Sequence, residues 1–215
     1  MVFHNPLKDK KVLITCGPAW VPIDSVRYIS NISTGRLGHL IAREMLQAQA
    51  KVTMLEGPVA NPFSDDRVHV VKYQYFDELT KKWDRALRDT HRVIIHAAAV
   101  PDFTTNGPYP KLNSDLAGVR LALNRTPKLI DLAQELNPKA FLVGFKLEPE
   151  ADKDTLIEKA VKLLERARCK LVVANIARKK SYKAYIVAPK GEVLAEAGSR
   201  EELASQLIKT LQERL

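Results

Sequence analysis

Short apolar runs alternate along the chain with stretches in which apolar residues recur every three or four positions. A continuous apolar run is typical of a strand that is buried on both faces of a parallel sheet. Apolar positions at the helical spacing form one face of an amphipathic helix. The strand-like runs are 10–16, 51–57, 68–73, 92–100, 140–148 and 169–175, and the helical stretches are 34–48, 76–90, 126–136, 154–168 and 199–215.

This alternation predicts an α/β fold of the Rossmann-like, doubly wound type, with three layers in the order α/β/α. The sheet is expected to be mostly parallel because helical crossovers join most of its strands. Residues 184–197 contain two apolar runs around Lys190-Gly191 and predict a C-terminal antiparallel hairpin. Ser199 is the expected cap of the last helix. Residues 1–215 are expected to form a single domain, since no linker rich in Pro, Gly or Ser divides the chain.

Charge narrows the range of partners. The chain has 34 Lys and Arg residues against 25 Asp and Glu residues, a formal net charge of +9, which favours acidic partners. The cationic residues are spread along the whole chain without interleaved aromatic residues. Anionic small molecules are therefore favoured over nucleic acid, and a merely solvated basic surface is the alternative.

The sequence also indicates where the protein works. The N-terminus lacks the apolar core of a signal peptide, and no stretch reaches the apolar length of a membrane span, so we expect no membrane partner. Cys16 and Cys169 both lie in apolar runs and are expected to be buried core thiols. Neither a disulfide framework nor a metal site is predicted, and a reducing cytoplasm is the expected location.

The segment 26–39, VRYISNISTGRLGH, lies between the first strand and the first helix, where ligands of doubly wound sheets bind. It can form a cradle for an anion at a helix N-terminus, with glycines that allow close approach and arginines that add charge. Alternatively, Ser33 or Thr34 caps the helix and the glycines serve tight packing. The spacing matches neither a dinucleotide fingerprint nor a P-loop, so the residues alone leave both interpretations open.

Three further candidate residues lie in or after the strand-like run 92–100. Asp102, in the turn HAAAVPDF, can hold a ribose hydroxyl or a metal-bound water, or can serve only as a turn residue. Lys111 lies in the long irregular section 101–120, where it is either a phosphate ligand on a lid or a surface lysine. His96 is expected to be a satisfied core histidine. No Ser-His-Asp arrangement, Cys/His metal spacing or close carboxylate pair supports a hydrolase or a metalloenzyme.

Four motifs in order resemble one family. DSVRYISNISTGRLG resembles the D-P-V-R-x-I-S-N-x-S-S-G-K-M-G stretch of phosphopantothenoylcysteine synthetase, the phosphopantothenate–cysteine ligase of coenzyme A biosynthesis. AAAVPDF followed by Lys111 resembles that family's A-A-A-V-x-D-[YF] turn and its substrate-loop lysine. LVGFKLE and LVVAN are similar to its V-G-F-x-x-E and L-I-V-A-N strands. The resemblance runs from Lys11 to the C-terminus.

The resemblance implies a nucleotide-dependent ligase. The carboxylate of 4′-phosphopantothenate would be activated by CTP or ATP with release of pyrophosphate, and the amine of cysteine would then attack the acyl-nucleotide. Mg²⁺ would bridge the phosphates. Only ten residues precede the first strand, so the flavin-dependent decarboxylase of the family's fused members is expected to be absent, and no flavin is expected. The family is commonly dimeric, which implies a homodimer.

The resemblance also assigns roles to residues. Asn31 matches the asparagine that holds the substrate and the acyl intermediate, Arg27 lies beside it, and Lys111 matches the triphosphate lysine of a mobile flap. These three are the expected catalytic residues. The implied nucleotide-binding residues are Ser33, Thr34, Gly35, Arg36, Gly38, Ala97, Ala98, Ala99, Asp102, Thr126, Pro127, Lys128, Leu129, Phe145, Lys162, Arg166 and Asn175.

Two stretches depart from the family pattern. GPAWVPID stands where the family has G-G-T-x-E-P-I-D, and TPKL stands where it has N-P-D-[IL], which leaves the choice between CTP and ATP open. Lys162 and Arg166 replace paired lysines with a shift of one residue. The alternative is a homologue that binds a nucleotide or phosphorylated metabolite without ligase activity. A nicotinamide-dependent oxidoreductase is less favoured because GPAWVP supplies no glycine-rich fingerprint.

Overall fold

An eight-stranded sheet with helices on both faces forms the centre of the molecule, as a computed structural model describes it for residues 5–178 and 181–215. In chain order the strands are β1 (Lys11–Cys16), β2 (Trp20–Pro22), β3 (Tyr28–Ser30), β4 (Lys51–Glu56), β5 (Val68–Lys72), β6 (Val93–His96), β7 (Phe103–Thr104), β8 (Asn124–Arg125), β9 (Phe141–Leu147), β10 (Leu171–Ala177), β11 (Tyr182–Val187) and β12 (Val193–Ala197). The helices are α1 (Arg36–Gln47), α2 (Phe76–Leu87), α3 (Leu129–Leu136), α4 (Lys153–Ala167) and α5 (Arg200–Arg214).

The strand order across the sheet is β12-β11-β10-β9-β6-β1-β4-β5. From β10 to β5 the neighbouring strands are parallel, and β11 and β12 add the antiparallel hairpin at one edge. The predicted doubly wound fold with a C-terminal hairpin is therefore confirmed. The chain order reverses between β1 and β6, and in such sheets ligands bind beyond the carboxyl ends of the strands at this reversal.

Each face of the sheet carries its own apolar core. Ile41 and Met45 of α1 pack with Leu207 of α5 on one face, and Trp83 of α2 and Leu156 of α4 pack on the other; all five side chains are fully buried. The helical spacing of apolar residues predicts the inward faces of α1 and α2. Burial of these side chains removes apolar surface from water, which is the main force that holds helices against the sheet.

Some element boundaries differ from the prediction. The middle strand ends at His96 rather than at residue 100, since its pairing with β9 stops at Ile95 and the following alanines form a turn beside the end of β1. The helix expected from residue 126 begins at Leu129, after Pro127. The small sheets β2–β3 and β7–β8 were not predicted, since strands of two or three residues are too short to show periodicity.

Two local predictions are confirmed. Ser199 caps α5, where its hydroxyl oxygen accepts a 3.0 Å hydrogen bond from the backbone N–H of Glu202. Cys16 and Cys169 are free and buried. Within residues 5–178 and 181–215, no helix combines the length and the apolar character needed to cross a membrane.

Candidate functional site

A cleft of about 570 Å³ opens at the carboxyl ends of β6 and β9. The turn after β6 forms one wall, the start of α3 a second, and one face of α4 a third. Several of the residues that the sequence nominates line it together: Ala98, Asp102, Thr126, Pro127, Lys128, Leu129, Phe145, Lys162 and Arg166.

Cationic side chains dominate this cleft. Among the described residues that line it, five are Lys or Arg and two are Asp or Glu. Such an excess suits a ligand with several negative charges, such as a polyphosphate. The five cations are Lys128, Lys146, Lys159, Lys162 and Arg166.

Glu148 organises part of the cationic wall. It pairs with Lys146 at 2.8 Å and with Lys159 at 2.6 Å, and these hydrogen bonds, Lys146 first, hold the pKa of its carboxyl below the usual value. Sequence reasoning missed all three residues as site residues. Glu148 ends the LVGFKLE motif, and Lys159 lies three residues before Lys162 on the same face of α4, so motif and helical spacing were the available signals.

The turn after β6 is tied to the start of α3. The backbone N–H of Thr126 donates to the carbonyl of Asp102 at 3.0 Å, and its hydroxyl donates to the carbonyl of Pro101 at 2.6 Å. The ammonium of Lys128 pairs with the carboxylate of Asp102. A ribose hydroxyl or a metal ion at Asp102 therefore has to compete with Lys128.

The three alanines after β6 donate their backbone N–H groups to the end of β1. Ala97 donates to the carbonyl of Thr15 at 3.1 Å, Ala98 to the Thr15 hydroxyl oxygen at 3.1 Å, and Ala99 to the carbonyl of Gly17 at 2.9 Å. These bonds fix the turn and leave the Ala98 side chain on the cleft wall. A nucleotide can therefore pack against the turn, while the three N–H groups already have acceptors.

His96 lies at the base of the cleft as a satisfied, buried histidine, as predicted. Its Nδ1 lies 3.0 Å from the hydroxyl of Thr15, and its ring packs against Trp83 with centroids 4.5 Å apart. Burial lowers the pKa of its imidazole to about 4. The ring is therefore neutral near pH 7 and contributes no charge to the cationic wall.

Asn31 reaches the rim of the cleft. Its side-chain N–H donates a 3.2 Å hydrogen bond to the carbonyl of Val100, a residue that lines the cleft. Asn31 itself is exposed. Its amide thus lies at the cleft edge, where it can contact a ligand that extends out of the cleft.

Arg27 is held by Asp24, a residue that sequence reasoning did not nominate. Its guanidinium donates to the Asp24 carboxylate at 2.5 Å and lies 3.5 Å from the carbonyl of Leu112. The carboxylate also accepts from the backbone N–H groups of Val26, Arg27 and Leu112 at 2.9, 2.7 and 3.1 Å. Burial alone would raise the pKa of Asp24, but these hydrogen bonds lower it to about 2. Asp24 thereby joins the Arg27 segment to the loop that carries Lys111.

The start of α1 resolves part of the choice between a cap and a cradle. Gly35 is the N-cap at φ 72°, so the alternative in which Ser33 or Thr34 occupies that position does not hold. The Thr34 hydroxyl oxygen accepts only a long, 3.4 Å bond from the N–H of Arg36. Gly38 packs closely against β1, since a Cβ there would lie 2.3 Å from the Cβ of Cys16.

Eleven of the twenty nominated residues lie outside the cleft lining. Seven of them are described above, and the other four are Arg36, Asn175, Ser33 and Lys111. The guanidinium of Arg36 pairs with Glu201 of α5 at 2.5 Å. Asn175 is buried at the end of β10, where its carbonyl accepts from the N–H of Glu148 at 3.0 Å. Ser33 is half-buried in the segment before α1, and Lys111 is exposed in the loop beside Asp24. Binding by these residues stays a prediction.

Comparison with known proteins identifies the relatives of this chain. The family profile of the DNA/pantothenate metabolism flavoprotein C-terminal domain matches residues 7–215. The coenzyme A biosynthesis bifunctional protein CoaBC of Thermococcus kodakarensis is 38% identical over 172 residues, which cover 79% of this chain and 42% of that protein. The chain spans about half the length of the curated relatives that it matches.

Two solved structures share the fold over nearly the whole chain. The DNA/pantothenate metabolism flavoprotein from Streptococcus pneumoniae has a TM-score of 0.86 and 27% identity, and the match covers 96% of this chain and 100% of that one. The C-terminal domain of a coenzyme A biosynthesis bifunctional protein CoaBC has a TM-score of 0.81 and 26% identity, with 98% of each chain covered.

Proposed function

Since the chain belongs to the DNA/pantothenate metabolism flavoprotein C-terminal domain family, we propose that it joins 4′-phosphopantothenate to cysteine in coenzyme A biosynthesis. The carboxylate of 4′-phosphopantothenate attacks the α-phosphorus of CTP or ATP, and pyrophosphate leaves. The amine of cysteine then attacks the acyl carbon, and the nucleoside monophosphate leaves. The observation that carries this proposal is the cleft with five cationic side chains at the carboxyl edge of the sheet, with Asn31 at its rim.

The cationic wall is suited to the triphosphate. Lys159, Lys162 and Arg166 lie on one face of α4 and line the cleft, so they can bind phosphate oxygens at successive turns of the helix. Positive charge placed where pyrophosphate develops its negative charge stabilises the transition state of the first step. Phe145, half-buried on β9, offers an aromatic surface for the base.

A magnesium ion fits this cleft chiefly as an ion that is coordinated by the phosphates. Of the described residues that line the cleft, the two carboxylates are Asp102 and Glu148, and both pair with lysines. Mg²⁺ is commonly bound by one or two carboxylates together with substrate phosphates. Asp102 would hold it once Lys128 turns to a phosphate, and the ion would neutralise charge on the leaving pyrophosphate.

The substrate side of the reaction is assigned to the segment before α1. The Asn31 amide at the cleft rim can donate a hydrogen bond to the acyl oxygen of the intermediate. Asp24 pairs with Arg27 and accepts from the backbone N–H of Leu112, so it holds Arg27 against the loop that carries Lys111. A reaction without flavin and a cytoplasmic location stay predictions for this chain.

The test is pyrophosphate release in a mixture of protein, 4′-phosphopantothenate, cysteine, Mg²⁺ and either CTP or ATP. The ligase predicts release with at least one nucleotide and formation of the cysteine adduct. No release with either nucleotide, beside a working ligase as the control, would exclude the proposed activity.

Substitution of Asn31 tests its assigned role. Asn31→Ala is expected to block product formation while nucleotide binding, measured by calorimetry, largely survives. Asn61→Ala is the matched control because Asn61 is exposed and does not line the cleft. Turnover of Asn31→Ala at the parent rate would remove Asn31 from the mechanism.

A second candidate function is binding without ligation. The pairing of Asp102 with Lys128 favours it, because the carboxylate is engaged before any ligand arrives. In that case CTP or ATP binds by calorimetry and no pyrophosphate appears. The two assays together therefore separate the candidates.

We also propose that the protein is a homodimer. Exposed apolar side chains occur on two segments that Asp24 joins, among them Ile32, Leu116 and Val119. We expect these segments to contribute to the dimer interface, because exposed apolar patches mark sites of protein–protein contact. Light scattering coupled to size exclusion is expected to give twice the chain mass, and a chain that stays monomeric at micromolar concentration would contradict the dimer.

A further inference from the structure

A thiol, an imidazole and a carboxylate meet at the start of α1, outside the cleft. Cys16 ends β1, Glu56 ends β4, and His39 lies in the first turn of α1. The Sγ atom, a ring nitrogen and a carboxylate oxygen all lie within 4.8 Å of one another. Within residues 5–178 and 181–215, this is the group of His, Cys, Asp or Glu side chains compact enough to surround one metal ion.

The carboxylate of this group is buried and oriented. Glu56 is 1% exposed, and its Oε1 lies 2.7 Å from Nε2 of His39. The same oxygen accepts a 2.8 Å hydrogen bond from the backbone N–H of Phe63. Metal-binding side chains are characteristically held by such outer hydrogen bonds, which orient the ligand atom.

The thiol of this group is buried as well. Cys16 is 1% exposed, and its Sγ atom lies within 4.8 Å of both the His39 ring nitrogen and the Glu56 carboxylate oxygen. A divalent cation would bind the thiolate, the imidazole and the carboxylate together and would offset the charge of the two anionic ligands.

We propose that Cys16, His39 and Glu56 bind a zinc ion, with a water molecule as the fourth ligand. One sulfur, one nitrogen and one oxygen form a donor set that zinc accepts in tetrahedral geometry. Zinc–ligand bonds of about 2.0–2.3 Å place neighbouring ligand atoms roughly 3.3–3.8 Å apart. The 2.7 Å contact between His39 and Glu56 would therefore open by a fraction of an ångström when zinc binds.

Space for the water lies on the Glu56 side. A second cavity of about 380 Å³ is lined by Glu56, Gly57 and Tyr73, among others. Zinc would bind the thiolate form of Cys16, with release of the thiol proton to solvent. The ion would link β1, β4 and α1, and it would thereby fix the start of α1 without touching the cleft.

The competing explanation is an ion pair alone. In that case His39 and Glu56 anchor the loop that reaches Phe63, and Cys16 is an ordinary core residue. This arrangement requires no metal. It predicts a zinc affinity no higher than the weak affinity of exposed side chains.

Metal titration separates the two. The full chain is stripped with a chelator and titrated with zinc against a chromophoric competitor, and cobalt(II) is added to a second sample as a spectroscopic probe. We expect one zinc ion per chain, a thiolate-to-cobalt charge-transfer band, and a higher thermal midpoint with zinc. The absence of the charge-transfer band in the unmodified protein would overturn the proposal.

Variants locate the site. Cys16→Ala and His39→Gln should each weaken zinc binding by about tenfold or more, by analogy with losses at metal-supporting residues. Cys169→Ser is the matched control, since Cys169 is a buried free thiol outside the group, and it should bind zinc like the parent. Equal zinc affinity in the parent and in a folded Cys16→Ala protein would also overturn the proposal.

Discussion

Replacing Gly38 by alanine tests whether this glycine serves the packing of α1 on β1. A Cβ at this position would lie 2.3 Å from the Cβ of Cys16 and 3.3 Å from its Sγ. Ordinary van der Waals contact begins near 3.4 Å. The 2.3 Å gap therefore has to widen by displacement of the helix, and we expect Gly38→Ala to destabilise the fold.

The magnitude follows from two opposing effects. Forcing an extra methyl group into a packed core costs about 1–3 kcal/mol. Alanine is favoured over glycine in a helix by roughly 1 kcal/mol, which offsets part of this cost. Since the close atom is a Cβ fixed to a strand, the upper part of the range applies, and the net loss is about 1–2 kcal/mol. For a chain of this size that lowers the thermal midpoint by roughly 2–8 °C.

Urea unfolding followed by circular dichroism measures the effect. Gly118→Ala is the matched control, because nothing lies within 4 Å of a Cβ at Gly118, and its midpoint should stay near that of the parent. Adding Cys16→Gly to Gly38→Ala removes the clashing atom. The double variant should therefore lose less free energy of unfolding than the two single variants lose in sum, by about 1 kcal/mol.

A Gly38→Ala protein with the parent's urea midpoint would refute the packing argument. In that event a rise in the KM for nucleotide without loss of stability would assign Gly38 to phosphate contact instead. Loss of stability with the predicted coupling to Cys16 supports packing.

Three further predictions concern charge. The pKa of Asp24 lies near 2, below its ordinary 3.8, so the contribution of this carboxylate to stability is present above pH 3.8 and is lost as the pH falls towards 2. Asp24→Asn should therefore reduce the dependence of the free energy of unfolding in urea on pH over this window. An unchanged dependence would contradict the hydrogen bonds. The pKa of His96 lies near 4, below its ordinary 6.5, so the free energy of unfolding falls by up to about 3 kcal/mol as the pH falls from 6.5 to 4. His96→Gln should remove this loss. An equal loss in the variant would be inconsistent with the buried neutral ring. Lys162→Ala should raise the KM for nucleotide by about tenfold in a steady-state assay, equivalent to roughly 1.4 kcal/mol. Lys139→Ala is the control, because Lys139 lies outside the cleft, and its KM should equal that of the parent. Equal KM values for the two variants would show that Lys162 does not bind the phosphates.

Local patterns predicted the elements of the fold well. The apolar runs 10–16 and 51–57 became β1 and β4, since strands buried on both faces need apolar side chains at every position. The helical spacing around Trp83 predicted the inward face of α2, since a helix that packs on a sheet buries one apolar face. Boundaries were less accurate where a strand runs into a turn of small apolar residues, as after His96.

The motifs predicted part of the candidate site. Asp102 and Lys162 were nominated and do line one cleft, whereas Arg36 is paired with α5. Lys159 and Asp24 were missed because the type of a single residue does not reveal which distant residues its side chain contacts. The partner of Asp24 at Leu112 lies 88 residues away along the chain.

The α/β alternation, the buried faces of the helices and the resemblance to the family can all be read from the amino-acid sequence. These properties are local, because periodicity and motif spacing depend on neighbours within a few turns or strands. The pairing of Lys128 with Asp102, and the meeting of Cys16, His39 and Glu56 at the start of α1, become visible only in the folded chain. Such groupings depend on which strands become neighbours in the sheet, and the order β6-β1-β4 is set by the packing of the whole chain.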